Sequence, residues 1–229
     1  MKPSEPIVSE QGWGVLHLFC KLGPTVDHES VIAAVKDCQA DDHQVVTFAV
    51  LGHKADVGFL AVGPDLWRLR RLQADLDGAG LVVADSYVSL TEVSEYAQGV
   101  PAERLEPRLH PKLPPDGKRV ICFYGMSKRR DTAGNWYMLP YEERRDLMES
   151  HGRKGREFAG RVVQLVTGST GIDDWEWAVT LFAADPADLK QCVYEMRFDP
   201  ASAIYAEFGP FITGLVAPVE QVLAEIGRG

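Results

Sequence analysis

The stretch DVGFLAVGPDL (56–66) decides the fold that this sequence predicts. Its first eight residues suit a short strand, and the proline and aspartate that follow are typical of the start of a helix. The stretch EWAVTLFAADPADL (176–189) has the same order of residue types about 120 residues later. Because a strand-to-helix unit returns at this distance, the sequence predicts two copies of one folding unit.

The segments around each copy predict the same order of elements in both halves: strand, helix, strand, strand, helix, strand. In the first half these are WGVLHLFCKL, HESVIAAVKDCQA, HQVVTFAVLG, DVGFLAVG, PDLWRLRRLQADL and GLVVADSYVSLTEV. In the second half they are KRVICFYGM, LPYEERRDLMESHGRKGREFAG, RVVQLVTGS, WEWAVTLFAAD, PADLKQCVYEMRF and AEFGPFITGLVA. The expected fold is α+β, with two fused ferredoxin-like βαββαβ halves of the dimeric α/β-barrel type.

A proline-rich segment separates the two halves. Residues 101–117 contain five prolines, which is typical of a linker or a long loop. We therefore expect an N-terminal half over 1–100, a linker over 101–117 and a C-terminal half over 118–229. Long ordered loops in compact proteins often carry function, so the linker is itself a candidate contributor to a site.

Composition excludes several classes of protein. The chain has 229 residues and a net charge of −9, which argues against a general nucleic-acid binder. No apolar run approaches the roughly 20 residues that span a bilayer, and the N-terminus MKPSEPIVSEQGWG lacks the features of a secretory signal. The four cysteines are far apart and have no CxxC spacing. We interpret them as reduced thiols of a cytoplasmic protein.

Positive charge is concentrated in one part of this acidic chain. Residues 118–161 contain eleven Lys or Arg and six Asp or Glu, a net charge of +5. A solvated helix face is one interpretation of this surplus. The alternative is a pocket for a small polyanion.

His151 is the first candidate for chemistry. In the predicted helix it shares one face with Tyr141, Met148, Gly155 and Phe158, so it should point inward. Gly155 lacks a side chain and would let a flat group approach the helix. A satisfied core histidine is one interpretation, and an axial metal or haem ligand is the other.

Tyr124 is the second candidate, because it ends a predicted strand in FYGMSKRR (123–130) and is followed by three basic residues. It could equally be a core tyrosine with its hydroxyl group at the rim. The sequence has no P-loop, dinucleotide fingerprint, GxSxG or HExxH motif. From these patterns alone, the prediction stops at an α+β protein with an anion-friendly C-terminal half that could bind a metal.

Several longer stretches carry a family resemblance: FYGMSKRR, NWYMLP, YEERRDLMESHGRKGREFAG, VTGSTGIDDWEW and VYEMRFDPASAIYAEFGPF. Together they resemble the coproheme decarboxylases, the haem-synthesis branch of the chlorite dismutase superfamily. The resemblance covers nearly all of 118–214, whereas the first half is similar mainly in architecture. The linker RLHPKLPPDGK is most similar to actinobacterial members.

The resemblance implies an enzyme that binds iron-coproporphyrin III (coproheme) as both substrate and cofactor. With hydrogen peroxide it would remove two propionate carboxyl groups, leaving vinyl groups and giving haem b and carbon dioxide. It also implies a homopentamer and coproporphyrin ferrochelatase as a partner. Neither nucleic acid nor a membrane span is expected.

The resemblance also implies roles for residues that match the family's motifs. Tyr124 matches the tyrosine that becomes a radical, and Lys128 matches the lysine beside a reactive propionate. His151 matches the proximal iron ligand. His110, in the linker, matches an extra distal histidine that could remove a proton from bound peroxide.

Other matches concern binding of the porphyrin. Met126 matches a pocket residue next to the tyrosine, and Gln164 matches a distal glutamine. Arg197 and Ser202 match positions that bind propionates. Gly125 departs from the pattern, because many relatives have proline there; we expect a looser turn after Tyr124.

Two other functions fit parts of the sequence. Chlorite dismutation or a peroxidase activity could use the same fold. However, chlorite dismutases carry a distal arginine where this chain has Gln164, and they lack the tyrosine–lysine pair of YGMSK. A haem-transfer or sensor protein without turnover would need His151 but neither Tyr124 nor Lys128.

Overall fold

The computed structural model of the protein describes residues 5–227. Its first half contains β1 (Gly14–Leu22), α1 (His28–Ala40), β2 (Gln44–Val50), β3 (Val57–Gly63), α2 (Leu66–Gly78) and β4 (Leu81–Thr91). Helix α3 (Ala102–Leu109) follows. The second half contains β5 (Val120–Lys128), β6 (Arg130–Asp131), β7 (Gly134–Asn135), α4 (Tyr141–Arg156), β8 (Val162–Gly168), β9 (Trp177–Ala183), α5 (Pro186–Met196), α6 (Pro200–Ala203), β10 (Ala206–Phe208), β11 (Ile212–Val216) and α7 (Val219–Ile226).

The strand-to-helix unit that predicted the fold has the same local chemistry in both halves. Asp65 caps α2 by accepting a hydrogen bond from the backbone N–H of Trp67, and Asp185 caps α5 by accepting one from Ala187. Such caps satisfy backbone donors that have no partner within the helix. The repeat read from the sequence is therefore present in the structure as two equivalent helix starts.

Antiparallel pairing joins the two halves into one closed sheet. The N-terminal half contributes β2-β3-β1-β4, and the C-terminal half contributes β11-β5-β9-β8. Pairs β2–β11 and β4–β8 connect the halves, and β5 pairs with both β9 and β11. The result is an eight-stranded barrel with helices outside, which confirms the predicted fold.

Apolar side chains fill the inside of the barrel, chiefly large ones such as Phe19, Phe48 and Phe182. A second cluster lies between the N-terminal half of the sheet and helices α1, α2 and α7. A third, smaller cluster lies outside the C-terminal half, on β5 and β9, under α5. The two halves thus share an interior, but their outer faces are covered differently.

Several elements differ from the sequence-based expectation. The last predicted strand is interrupted, because Gly209 bonds to the carbonyl of Gly125 and Pro210 has no N–H to donate. Helix α7 was not predicted. The proline-rich segment is not irregular throughout, since α3 forms within it.

Two further points concern the cysteines and the length of the helices. All four cysteines are buried and free. Among residues 5–227, no helix has both the length and the apolar character needed to cross a membrane.

One histidine is enclosed within the barrel. His17 is fully buried, its Nε2 lies 2.9 Å from the hydroxyl of Thr180, and its Nδ1 has no hydrogen-bond partner among the described residues. Burial lowers the pKa of His17 from 6.5 to about 3. The folded protein therefore keeps this imidazole neutral, whereas the unfolded chain protonates it below pH 6.5.

We predict that this histidine makes the barrel acid-sensitive. Because the unfolded state binds the extra proton, stability should fall as pH drops from about 6.5 to 3, by at most about 1.4 kcal/mol per pH unit. His17→Leu should remove this part of the slope in urea unfolding between pH 7 and 4. His53→Leu, at an exposed position, is the control. Parallel pH profiles for wild type and His17→Leu would contradict the prediction.

Candidate active site

The outward face of β5 carries three predicted site residues. Side chains alternate along a strand, so Tyr124, Met126 and Lys128 point away from the barrel interior while Phe123 points into it. Tyr124 and Lys128 are buried, and Met126 is half-buried. The register of β5 with β9 and β10 fixes these three side chains on one rigid surface.

Tyr124 is packed between aromatic rings. Its ring stacks on Phe211 with centroids 4.4 Å apart and meets Phe208 edge-on at 5.7 Å. Burial raises the pKa of its hydroxyl group well above the usual value near 10. The phenol therefore stays protonated at neutral pH, so its one-electron oxidation would release a proton. Phe211 also lines an apolar cavity of about 370 Å³ beneath α5.

Lys128 is held from two sides. Its Nζ donates a hydrogen bond to the carbonyl oxygen of Ala201 at 3.0 Å and lies 4.1 Å from the ring centroid of Trp136. Burial lowers the pKa of Lys128 to about 8, and the carboxylates of Asp199 and Glu176 oppose that shift. The side chain is therefore predominantly an ammonium group at neutral pH.

His151 is oriented by a buried carboxylate. Its Nδ1 lies 2.9 Å from Oδ2 of Asp199, which has no solvent exposure. The acceptor favours the tautomer with the proton on Nδ1, which leaves the lone pair on Nε2. Burial lowers the pKa of His151, and the bond to Asp199 only partly opposes this. A neutral imidazole held in this way is a suitable ligand for a metal ion.

Helix α4 leaves space beside His151. None of its sixteen residues, all within the described part of the chain, is buried, and the helix packs mainly against α5 and α6. Among residues 5–227, nothing lies within 4 Å of where a side chain on Gly155 would begin. One oriented imidazole beside open space fits the iron of a haem-like group. The sequence predicted that the face of α4 with His151 would point inward. In the structure this face is half-exposed.

Arg197 lies near the aromatic cluster of Tyr124, and Ser202 lies near the backbone contact of Lys128. Arg197 is exposed at the end of α5, and its guanidinium lies 5.4 Å from the ring centroid of Phe208, which also contacts Tyr124. Ser202 is buried in α6, next to the carbonyl that binds Lys128. Arg197 and Lys128 thus border the outward face of β5, and Ser202 is the residue after the one whose carbonyl binds Lys128.

Gln164 and His110 stand apart from these contacts. Gln164 is exposed on β8, where it pairs with Leu181 of β9. The Nδ1 of His110 lies 2.6 Å from Glu106, and its ring lies 4.8 Å from that of Trp13. Their distal roles stay predictions.

Gly125 differs from its expected position. It lies within β5, paired with Ala178, and not in a turn. A side chain there would begin 2.5 Å from the ring of Trp175. The close approach of this tryptophan, rather than a loose turn, is what requires glycine.

Five of the eleven cations in 118–161 are paired with carboxylates: Arg129, Arg144, Arg145, Arg153 and Arg161. Lys128 is the buried exception among the cations described in that window. The structure therefore favours the solvated-face interpretation for these five arginines.

Sequence reasoning missed two residues of the site, Asp199 and Trp136. The DPASA stretch does signal a helix start, and Asp199 caps α6 by accepting from the N–H of Ala201. Nothing in that signal points to His151, which is 48 residues away. Trp136 lies in the NWYMLP stretch, whose sequence gives no sign of its contact with Lys128.

Comparisons with known proteins identify the family of this chain. The sequence model of the Chlorite dismutase family matches residues 27–217. The chain belongs to the chlorite dismutase family. A coproheme decarboxylase from Staphylococcus carnosus is 40% identical over 92% of this chain and 94% of its own length. A coproheme decarboxylase from Thermus thermophilus is 38% identical over 97% of each chain.

Another relative, from Natronomonas pharaonis, has a name that records heme binding; it is 38% identical over 93% of this chain. The chain spans only 40% of that relative's length. Among solved structures, a heme-binding protein from Thermus thermophilus superposes with a TM-score of 0.84 and 36% identity, covering 99% of this chain and 98% of that one. A chlorite dismutase from Candidatus Nitrospira defluvii gives 0.76 at 17% identity, covering 96% and 98%, which supports the shared fold alone.

We predict that Asp199 contributes more than a helix cap. Asp185→Ala removes an exposed cap and should cost about 1 kcal/mol of unfolding free energy. Asp199→Ala also leaves Nδ1 of His151 without its acceptor, which should cost about 1–3 kcal/mol more. Urea unfolding of both variants measures the difference. Equal losses would show that the bond to His151 adds nothing to stability.

Proposed function

We propose that this protein is a coproheme decarboxylase. It converts iron-coproporphyrin III and hydrogen peroxide into haem b and carbon dioxide. The names and coverage of the relatives from Staphylococcus carnosus and Thermus thermophilus support this assignment. The observation that carries it is the placement of an oriented histidine and a buried lysine around α6, with a buried tyrosine on the same strand, β5, as the lysine.

Different residues would bind two parts of the substrate, its iron and its propionate carboxylates. When bound, the iron porphyrin supplies activation of peroxide. His151 offers its Nε2 to the iron, while Asp199 keeps the imidazole in the required tautomer. Lys128, Arg197 and Ser202 offer charge and hydrogen bonds to propionates, which are costly to bury unpaired.

Tyr124 is the residue that acts on the propionate. Its buried phenol loses an electron and a proton, and the resulting tyrosyl radical takes a hydrogen atom from the substrate side chain. Loss of a further electron and of carbon dioxide then leaves the vinyl group. Each propionate gives up two electrons in all, so one hydrogen peroxide is reduced to two waters per carboxyl group removed. Met126 lies on the same outward face of β5 as Tyr124 and would form part of the wall of the porphyrin site.

Assembly and cellular context extend the proposal. A homopentamer in the cytoplasm, supplied with coproheme by coproporphyrin ferrochelatase, is what the family resemblance implies. Haem binding without turnover is the second candidate, favoured by the relatives named for heme binding. The two differ in whether the tyrosine is used.

Tyr124→Phe separates turnover from binding. The change removes one hydroxyl group and nearly conserves volume, so fold and coproheme affinity should persist. With wild type, mass spectrometry after peroxide addition should show the porphyrin lighter by two formic-acid equivalents. The variant should form no vinyl product. An unaltered porphyrin with wild type would favour the binding protein, and normal product with the variant would refute the radical role.

Lys128→Ala should affect the two decarboxylations unequally. Because one ammonium group can hold only one reacting propionate, one step should slow more than the other, and a mono-vinyl intermediate should accumulate. Chromatography of quenched reactions measures this intermediate over time. Equal slowing of both steps would count against a specific role for the lysine.

His110 is the proposed proton acceptor for peroxide. Gln164 has an amide and cannot serve as a base at neutral pH, whereas imidazole can. His110→Ala should slow peroxide consumption and change the dependence of its rate on pH, while leaving coproheme affinity nearly unchanged. If the pH–rate profile of His110→Ala matches wild type, another group is the base.

A further inference from the structure

Trp136 is almost fully buried, with 2% of its surface exposed. One face of its ring lies 4.1 Å from Nζ of Lys128. Its ring also meets that of Tyr205, with centroids 5.4 Å apart at 61°. A large aromatic ring is thus enclosed next to Lys128, the one buried cation described within 118–161.

A short hairpin brings Trp136 to this place. Strands β6 and β7 reverse the chain immediately after Lys128, and Asp131 closes the turn by accepting from the N–H groups of Ala133 and Gly134. The N–H of Trp136 then donates to the carbonyl of Arg129 at 2.9 Å. The chain therefore folds back so that residue 136 covers residue 128, with both backbones fixed by hydrogen bonds.

The ammonium group has a limited set of partners. It carries three N–H donors. One goes to the carbonyl of Ala201, and the ring face of Trp136 covers a second direction. An aromatic face attracts a cation, most strongly when the ring is indole and the pair is desolvated. Both residues are buried here, so the contact satisfies that condition.

We propose that Trp136 is a positioning residue: its ring face holds the ammonium group of Lys128 in one place, so that the remaining N–H can bind a reacting propionate. This inference rests on the proposed function. Trp136 acts through Lys128 and needs no contact with the iron.

Kinetics of paired substitutions test the role. Trp136→Leu keeps an apolar side chain but removes the aromatic face. It should slow the lysine-dependent decarboxylation by roughly five- to thirty-fold and raise the mono-vinyl intermediate, whereas Trp136→Phe should give a smaller defect. Tyr205→Leu removes a ring from the same cluster without touching Lys128 and is the matched control. It should leave the ratio of the two steps unchanged.

The double variant Lys128→Ala/Trp136→Leu distinguishes positioning from general damage. If Trp136 acts through Lys128, the ratio of the two steps in the double variant should equal that of Lys128→Ala alone. If the two defects multiply, Trp136 acts independently and the inference is overturned. A step-selective Lys128→Ala with an unaffected Trp136→Leu overturns the inference but leaves the proposed function intact.

A ligand-free measurement tests the contact without turnover. In protein labelled with 13C-lysine, the ε-methylene of Lys128 is identified by its absence in Lys128→Ala. The ring current of Trp136 should shift its proton signals upfield of those of other lysines, and Trp136→Leu should abolish that shift. An ordinary chemical shift in wild type would overturn the inference. A wild-type protein that forms no vinyl product would instead refute the proposed function, and with it the positioning role.

Discussion

The hydrogen bond between His151 and the buried carboxylate of Asp199 holds the candidate site together. Asp199 also caps α6, and the carbonyl of Ala201 in that helix binds the ammonium group of Lys128. One carboxylate therefore connects α4, α6 and the end of β5. Because each element carries a different predicted function, the proposed iron ligation and the proposed propionate binding would both depend on the same short segment, 199–202.

The two halves of the barrel share a fold but differ in how helices cover their outer faces. In the N-terminal half, α1, α2 and α7 cover the sheet with a full apolar cluster. In the C-terminal half, α4 rests on α5 and α6, none of its residues is buried, and its histidine is partly exposed. Because helices fill the outer face of the first half, this asymmetry favours a ligand site in the second half. The helix α7, contributed by the C-terminus, stabilises the first half.

The sequence predicted what depends on local pattern. The repeated strand-to-helix unit predicted the closed α+β fold. The predicted strand ended at Met126, whereas β5 continues to Lys128, and this extension places Lys128 on the same face as Tyr124 and Met126. The family resemblance, not the pattern, supplied the roles of these residues. Asp199 and Trp136 could not be found in this way, because their partners are fixed by tertiary packing around α6 and by a hairpin. Helix α7 was missed because its packing surface belongs to the other half of the chain.

The identity of the iron ligand is the most direct test of this account. Iron-coproporphyrin III is titrated into wild type and His151→Ala, and the absorption and electron paramagnetic resonance spectra are recorded with the affinity. The account predicts that His151→Ala binds more weakly, has an altered spin-state spectrum, and recovers the wild-type spectrum when free imidazole is added. A variant with the affinity and spectrum of wild type would show that another group ligates the iron, which would contradict the account.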